Sequence, residues 1–509
     1  MGYVIGCDIG SQAVKAILLS DRGELLGEAG SSYPIDYPFP AWAEQDARYW
    51  ETAVVQAVNA LLKQCSVDKD DVVAIGLDAQ VDGIVAVDAS GQPLHPAIIW
   101  MDRRAVQETE AIARMFDSRR IFDITGLNLD AYHVAPKIRW LAENKPQVFE
   151  QARYFLMPGS YVAFWLTGEL GVDYSNASSM LLMDIRRREW SSELCEMFQV
   201  PQDRLPPIYP ANHVLGTLRP ALAERMGLLP ATWVVLGCGD EHAASLGAGV
   251  IRSGMVCDIA GTAEPVCAAA TEPFFDESGL VETHCHSHPD FWLLENPGFV
   301  SGGNYRWFRD HFAIEEVKRA AELGLDAYDL LNEMAASVPA GSEGLLLLPC
   351  LMGAVTPTWN AHARGTFLGF TLTHRRAHFV RAVLEASAFA LRDITDRMQE
   401  VGLILNEIRA VGGGARSALW RQIKADVTGL PVSLLNTVET TALGAALLAL
   451  HGAGLAATLD EAVEMTVKVV ETREPDPLTH TQYNEYYQIY RDAYFALLPV
   501  FEKAARISQ

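Results

Sequence analysis

Two short stretches place an acid just before a turn of small residues. One is Cys7-Asp8-Ile9-Gly10-Ser11-Gln12, and the other, half a chain later, is Cys257-Asp258-Ile259-Ala260-Gly261-Thr262. Apolar runs flank both, so each reads as a hairpin of two buried strands. Packing alone has no use for a carboxylate beside such a turn, whereas phosphate chemistry does. Small turn residues expose backbone N–H groups and a hydroxyl that can surround a phosphate. The acid can hold a hydrated Mg²⁺, which keeps several of its waters. Lys15, just past the first turn, can approach a terminal phosphate as a point charge. A single copy reads equally well as an ordinary hairpin. Two copies in matching positions favour a nucleotide held between two similar lobes.

Three further stretches carry candidate chemistry. Gly412-Gly413-Gly414-Ala415 lies between an apolar strand and the helix that Ser417 opens, a place where backbone approaches a ligand closely and a helix N-terminus favours phosphate. It matches neither the dinucleotide G-x-G-x-x-G pattern nor the G-x-x-x-x-G-K-[ST] loop, so adenosine contact is the better reading. Asp240, in "GCGDEHAAS", stands at the start of an apparent helix, where the positive helix end favours the ionised form a general base needs. A plain N-cap explains the same spacing. His284, Cys285, His286 and His288 look like zinc ligands, but residues alternating along a strand converge poorly and no partner pair exists, so a metal site is not expected there.

The elements that must position these residues follow from pattern. The first half reads as three strands (3–9, 14–20, 24–33), an amphipathic helix through Trp50, Val54, Val58 and Leu61, and a buried strand "VVAIGLDA". The second half repeats the hairpin and continues through a long helix around "HFVRAVLEASAFALRDITDRM". A strand–glycine turn–helix unit, the helix "TTALGAALLAL" and a polar C-terminal helix from about residue 480 follow. This is α/β layering in duplicate, with 509 residues enough for two lobes around a central cleft. The apolar, glycine-rich junction "VVLGCGDEHAASLGAGVIRSGM" suits a packed hinge. Forty basic against 64 acidic residues give a net charge of −24, which argues against nucleic acid or an anionic membrane as partner. Eight scattered cysteines without a C-x-x-C pair read as reduced core residues. With no basic-then-apolar leader and no long apolar span, a cytoplasmic location is expected.

Together these stretches resemble the FGGY family of carbohydrate kinases, and within it the xylulose kinases, over nearly the whole chain. "GCDIGSQAVKAILLSDRGE", "PAWAEQD", "PAIIWMDRRA", "APKIRW", "GTFLGFTLTHRRAHFVRAVLEASAFAL", "GGGARSALWRQIKADVTG" and "TALGAALLA" carry the likeness. The resemblance implies a duplicated actin-like (ribonuclease H-like) ATPase fold. It implies a sugar-binding lobe, residues 1–246, and a nucleotide-binding lobe, residues 247–509. ATP and Mg²⁺ are the implied co-substrate and cofactor, a small sugar the acceptor, and a homodimer a family expectation. Asp240 falls on the catalytic base, and Asp8, with Asp240, on the metal site. Gly10, Ser11, Gln12, Lys15, Gly261, Thr262, Gly413, Gly414, Ala415 and Ser417 fall on the nucleotide side. Gln80, Val81, Asp82, Asp102, Arg104, Asp240 and Glu241 fall on the substrate side.

The chain departs from the xylulose kinase pattern where the sugar would sit. Gln80-Val81-Asp82-Gly83 stands for Gln-Met-His-Gly, Glu241 for an Asn after the base, and Gly353-Ala354-Val355-Thr356-Pro357 for Gly-Glu-Arg-Thr-Pro. Extra carboxylates disfavour an acidic sugar and suit a neutral, hydroxyl-rich ketopentose or polyol. Two other readings share the core: an actin-like filament or chaperone, and a sensor with a decayed site. ATP turnover stimulated by a sugar separates the kinase from both.

Overall fold

The computed structural model describes residues 2–507. In the first half, Tyr3–Ile9, Ala13–Ser20 and Leu25–Ser32 form an antiparallel meander. Val72–Ala79 pairs in parallel with the free side of Tyr3–Ile9, Trp233–Gly239 pairs in parallel with Val72–Ala79, and Val214–Thr217 closes the edge. The second half repeats this order. Met255–Ile259, Ala263–Ala270 and Trp292–Val300 make the meander, and Glu407–Val411 then Val432–Leu435 add in parallel. Glu282–Cys285 and Val469–Arg473 form the outer edges. Two sheets with one strand order are the duplication that the paired hairpins announced, and the architecture is the actin-like ATPase fold.

One face of the first sheet is covered by the helix Ala47–Cys65, whose Trp50, Val54, Val58 and Leu61 are wholly buried and whose N-terminus is capped by Asp46. The other face is covered from far along the chain. The helix Thr441–Gly452 is apolar all round, and its Leu443, Ala446, Leu447 and Leu450 pack on Val4, Leu19, Ala74 and Val235 of that sheet. It crosses the helix Asp240–Gly247 at glycine. A Cβ on Gly444 would sit 2.0 Å from the Ala243 carbonyl, and one on Gly247 2.0 Å from that of Thr440. The junction between halves is therefore a tightly packed helix crossing, not a linker.

The C-terminal helix, Pro477–Ile507, corrects the sequence reading. It buries Tyr483, Tyr487, Tyr490, Tyr494 and Phe501 against the long helix Arg376–Glu400. Tyrosine hides an apolar body behind a polar tip, so the stripe reads as polar. The tips are satisfied by buried acids: Tyr483 donates to Glu385 and Tyr487 to Asp393, both at 2.7 Å. All eight cysteines are unpaired, and all but Cys65 are buried. Among the described residues no helix is long and apolar enough to cross a membrane.

Candidate active site

Strand register builds the centre of the cleft. Asp8 lies opposite Lys15 on one side and opposite Asp78 on the other, and Asp78 lies opposite Cys238, two residues before Asp240. Neighbours in one register row share a face of the sheet, so the row brings the acids together. Asp78 is fully buried and neither of its oxygens has a hydrogen-bond donor. Burial foremost, then Asp8 and Asp240, pushes its carboxyl well above the usual range. The Asp8 carboxyl is pushed up to about 6, chiefly by burial, with Asp78 and then Lys15 working in the opposite direction. Asp78 went unremarked in the sequence, although its signal was the one that marked Asp8: an acid inside an otherwise apolar strand.

Asp240 is not an N-cap. Gly239 occupies that position, and Asp240 is the first helical residue, its Oδ1 accepting from the Glu241 N–H at 3.1 Å. Burial, then Glu241 and Asp8, raise its carboxyl well above the normal range. Lys15 faces Asp8 but donates at 2.6 Å to Glu439, so these acids are only partly compensated. Partly compensated carboxylates beside a turn of small residues fit a divalent cation. Among the described residues no three His, Cys, Asp or Glu side chains converge as a metal cage. Mg²⁺ takes one or two carboxylates and completes its shell with phosphate and water.

The first turn is braced from the side where a substrate would lie. The Ser11 hydroxyl accepts from the Trp100 indole at 2.8 Å, and its carbonyl accepts from Gln45 at 2.7 Å. Gln80, buried, donates to Gln45 at 2.9 Å. Gln12 is exposed on the turn. Val81 covers Gly239. Asp82 adopts φ +54°, an uncommon conformation for a residue with a side chain, held by Lys137 donating to its carbonyl at 2.6 Å. Its Oδ1 faces the His133 Nδ1 at 3.1 Å. Burial opposes charge on that imidazole, but Asp82, Glu282 and Asp130 raise it overall. Asp102 and Arg104 are spent on each other. Arg104 donates to both Asp102 oxygens, pairs with Glu44 at 2.7 Å and stacks 3.7 Å from Trp42, and both side chains are fully buried. Their geometry is that of a clamp holding the loop.

The second hairpin has diverged from the first. Its turn, Gly261 and Thr262, is exposed, but Asp258 is buried and spent on an ion pair. Lys424, buried on the helix Ala418–Thr428, pairs with Asp258 and, at 2.9 Å, with Glu264. Burial and Asp258 push the Glu264 carboxyl up to about 8 against the pull of Lys424. This ion triad ties the hairpin to the helix after the glycine turn, and nothing in the repeat pattern singled out Lys424. Gly414 donates to the Ala260 carbonyl at 3.0 Å, so the two turns adjoin. Gly413 is open to solvent, Ala415 is buried, and the Ser417 hydroxyl is occupied in capping the helix at Trp420. His284 and His286 are buried, and burial pushes them down to about 4 and about 3.

A duplicated ATPase fold with acids between two phosphate-sized turns defines a nucleotide-dependent phosphotransferase class. The family models for the FGGY family of carbohydrate kinases match residues 3–247 with the N-terminal domain and 258–453 with the C-terminal domain, and the chain belongs to that family. It is 31% identical to a xylulose kinase of Escherichia coli over 97% of this chain and 99% of the other. It is 28% identical to a gluconokinase of Bacillus subtilis over 99% of this chain and 96% of that one. The solved structure of a xylulose kinase from Rhodospirillum rubrum superposes with a TM-score of 0.90 at 29% identity, covering 98% of this chain and all of that one.

Proposed function

We propose that this carbohydrate kinase transfers the γ-phosphoryl of MgATP to a primary hydroxyl of a hydroxyl-rich ketose or polyol without an acidic group, with D-xylulose the first compound to test. The observation that carries the reading is Asp240, the first residue of the hinge helix, buried and close enough to Asp8 for that acid to help raise its carboxyl. In this reading Gly10, Ser11 and Gln12 hold the phosphates from one side and Gly261 and Thr262 from the other. Gly413, Gly414 and Ala415 face the adenosine. Lys15 turns from Glu439 to the terminal phosphate. Asp8, with Asp78 behind it and Asp240 near it, would hold Mg²⁺, which supplies charge neutralisation to the phosphates. Asp240 accepts the hydroxyl proton as the oxygen attacks phosphorus in line. Such transfer depends mainly on positioning and charge stabilisation.

Residues 1–246 then serve mainly the sugar and 247–509 mainly the nucleotide, although the helix Thr441–Gly452 lies on the first sheet. Relatives named for both xylulose and gluconate leave the acceptor open by descent. The acids around Asp240 weigh against a gluconate-like anion, which like-charge repulsion would reject. A coupled ADP-release screen over neutral ketoses, polyols and sugar acids tests the reading. Stimulation by a ketose or polyol supports it. Stimulation by sugar acids alone, or by nothing, overturns it.

A further inference from the structure

A cavity of about 410 Å³ opens between the two halves, and no step of the proposed reaction uses it. Arg103 and Asp130 form the wall from the first half. The strand end at Val300 and the loop bearing Ala354, Val355 and Trp359 form the wall from the second. The volume falls within the ~300–1,000 Å³ of small-molecule sites.

Both walls are held in place. Glu282, opposite Glu295 in the second sheet, pins the loop that carries Asp130, accepting from the Asn128 N–H at 2.9 Å and the Tyr132 hydroxyl at 3.2 Å. The facing loop closes on itself, Ala354 and Asn360 exchanging backbone hydrogen bonds at 2.9 and 2.8 Å. Asn128 and Trp359 both donate to the Gly279 carbonyl, at 3.0 and 3.2 Å, so the two walls meet at one atom. A pocket already formed costs a ligand little ordering.

Its borders tie it to the acceptor. Arg103 follows Asp102, and Asp130 stands three residues before His133, which meets Asp82. Val300 pairs with Ala263, next to the turn residue Thr262. Neither Asp8 nor Asp240 lines the cavity, so what enters it is not the reacting hydroxyl.

The walls favour neutral hydroxyl groups. Nη2 of Arg103 spans both Asp130 oxygens, at 2.9 and 3.0 Å, which leaves its other N–H groups for a ligand. Asp130 also accepts from the Tyr132 N–H at 3.1 Å. An ion pair sets donors beside acceptors without net charge, which matches vicinal hydroxyls better than a carboxylate or phosphate. Trp359 is half-exposed with its indole N–H committed, so its ring is an apolar surface for the C–H face of a sugar. Ala354 and Val355, where the chain departs from a Glu-Arg pair, leave the space open with short side chains.

We infer that this cavity is a second sugar subsite, seating the glycosyl unit of a disaccharide-sized polyol or ketose whose other unit offers its hydroxyl to Asp240. The inference rests on the kinase reading above and adds size to its substrate class.

The test measures ADP release by the full-length enzyme with MgATP and D-xylulose, alditols of four to six carbons, or the disaccharide alditols maltitol, lactitol and cellobiitol. At least one disaccharide alditol should exceed D-xylulose and every simple alditol tenfold in kcat/KM. Arg103→Leu should cut that preference at least tenfold and leave kcat for the best small acceptor within twofold. Ala361→Phe, which fills the cavity from an exposed lining position, should do the same and serves alone if Arg103→Leu does not fold. A small acceptor as good as every disaccharide alditol overturns the subsite and leaves the kinase reading standing. A preference that survives the substitutions overturns it too. Absence of stimulation by every compound overturns both readings.

Discussion

Asp240 and Glu241 are adjacent in sequence, yet they face different work. Asp240 is the first helical residue, its carboxyl raised by burial, Glu241 and Asp8, whereas the Glu241 carboxyl is raised chiefly by burial. Asp240→Asn preserves shape and removes only the proton acceptor. It should leave sugar binding intact and lower kcat by ~10²–10⁴-fold, the usual worth of a general base. Single-turnover rates alongside sugar-induced thermal shifts check this. A variant with wild-type turnover would show that the proton leaves by another route. Asp78 belongs to the same scale: buried beside Asp8 without a donor, it makes sense only when something positive or a proton occupies the gap.

Between residues and the whole stand two joints. The first is the crossing of the helices Asp240–Gly247 and Thr441–Gly452. Gly444→Ala puts a methyl against the Ala243 carbonyl, which a packed core can relieve only by moving the helices apart. The cost should be about 1–3 kcal/mol in stability. Because the displaced helix carries Asp240, kcat should fall as well, which denaturant melts and kinetics read together. The second joint is the Lys424–Asp258–Glu264 triad. Glu264 has a folded-state pKa near 8 against 4.5 for the free group. The folded protein therefore holds an extra proton between those values, and its stability declines as pH rises through that window. Glu264→Gln removes the titration. Wild type should lose stability relative to the variant from about pH 4.5 to about pH 8, on the order of 1 kcal/mol per unit, and run parallel to it outside that range. Melting curves across pH that stay parallel throughout would contradict the burial argument.

At the scale of the molecule the two halves touch through the helix crossing and through the exposed pair Lys15–Glu439, whose side chains are 39% and 51% accessible. An exposed pair of this kind adds at most about 1 kcal/mol to stability. In the proposed reading its weight is functional, since it engages the lysine assigned to the terminal phosphate. Glu439→Gln should lower the KM for ATP several-fold with almost no change in melting temperature. The gain should shrink as ionic strength rises, because salt already weakens the wild-type pair. An unchanged KM at low salt would mean that Lys15 does not reach the nucleotide.

The sequence by itself determined the duplication, the strands of both hairpins to within a residue or so, the two phosphate-sized turns and the kinase family. Those features rest on local pattern: apolar alternation, small residues at turns, acids where packing has no use for them. Spacing alone left Asp240 open between a cap and the base that the family likeness implies; it overlooked Asp78, Glu282, Glu295 and Lys424, and read a tyrosine-striped helix as polar. Only the tertiary structure decided these, and for one physical reason. Whether a carboxylate is a ligand, a cap or half of a buried pair depends on the groups that distant strands and helices bring against it. Asp8 and Asp258 show this best: the same residue in the same local phrase, one buried beside Asp78, the other paired with a lysine 166 positions away.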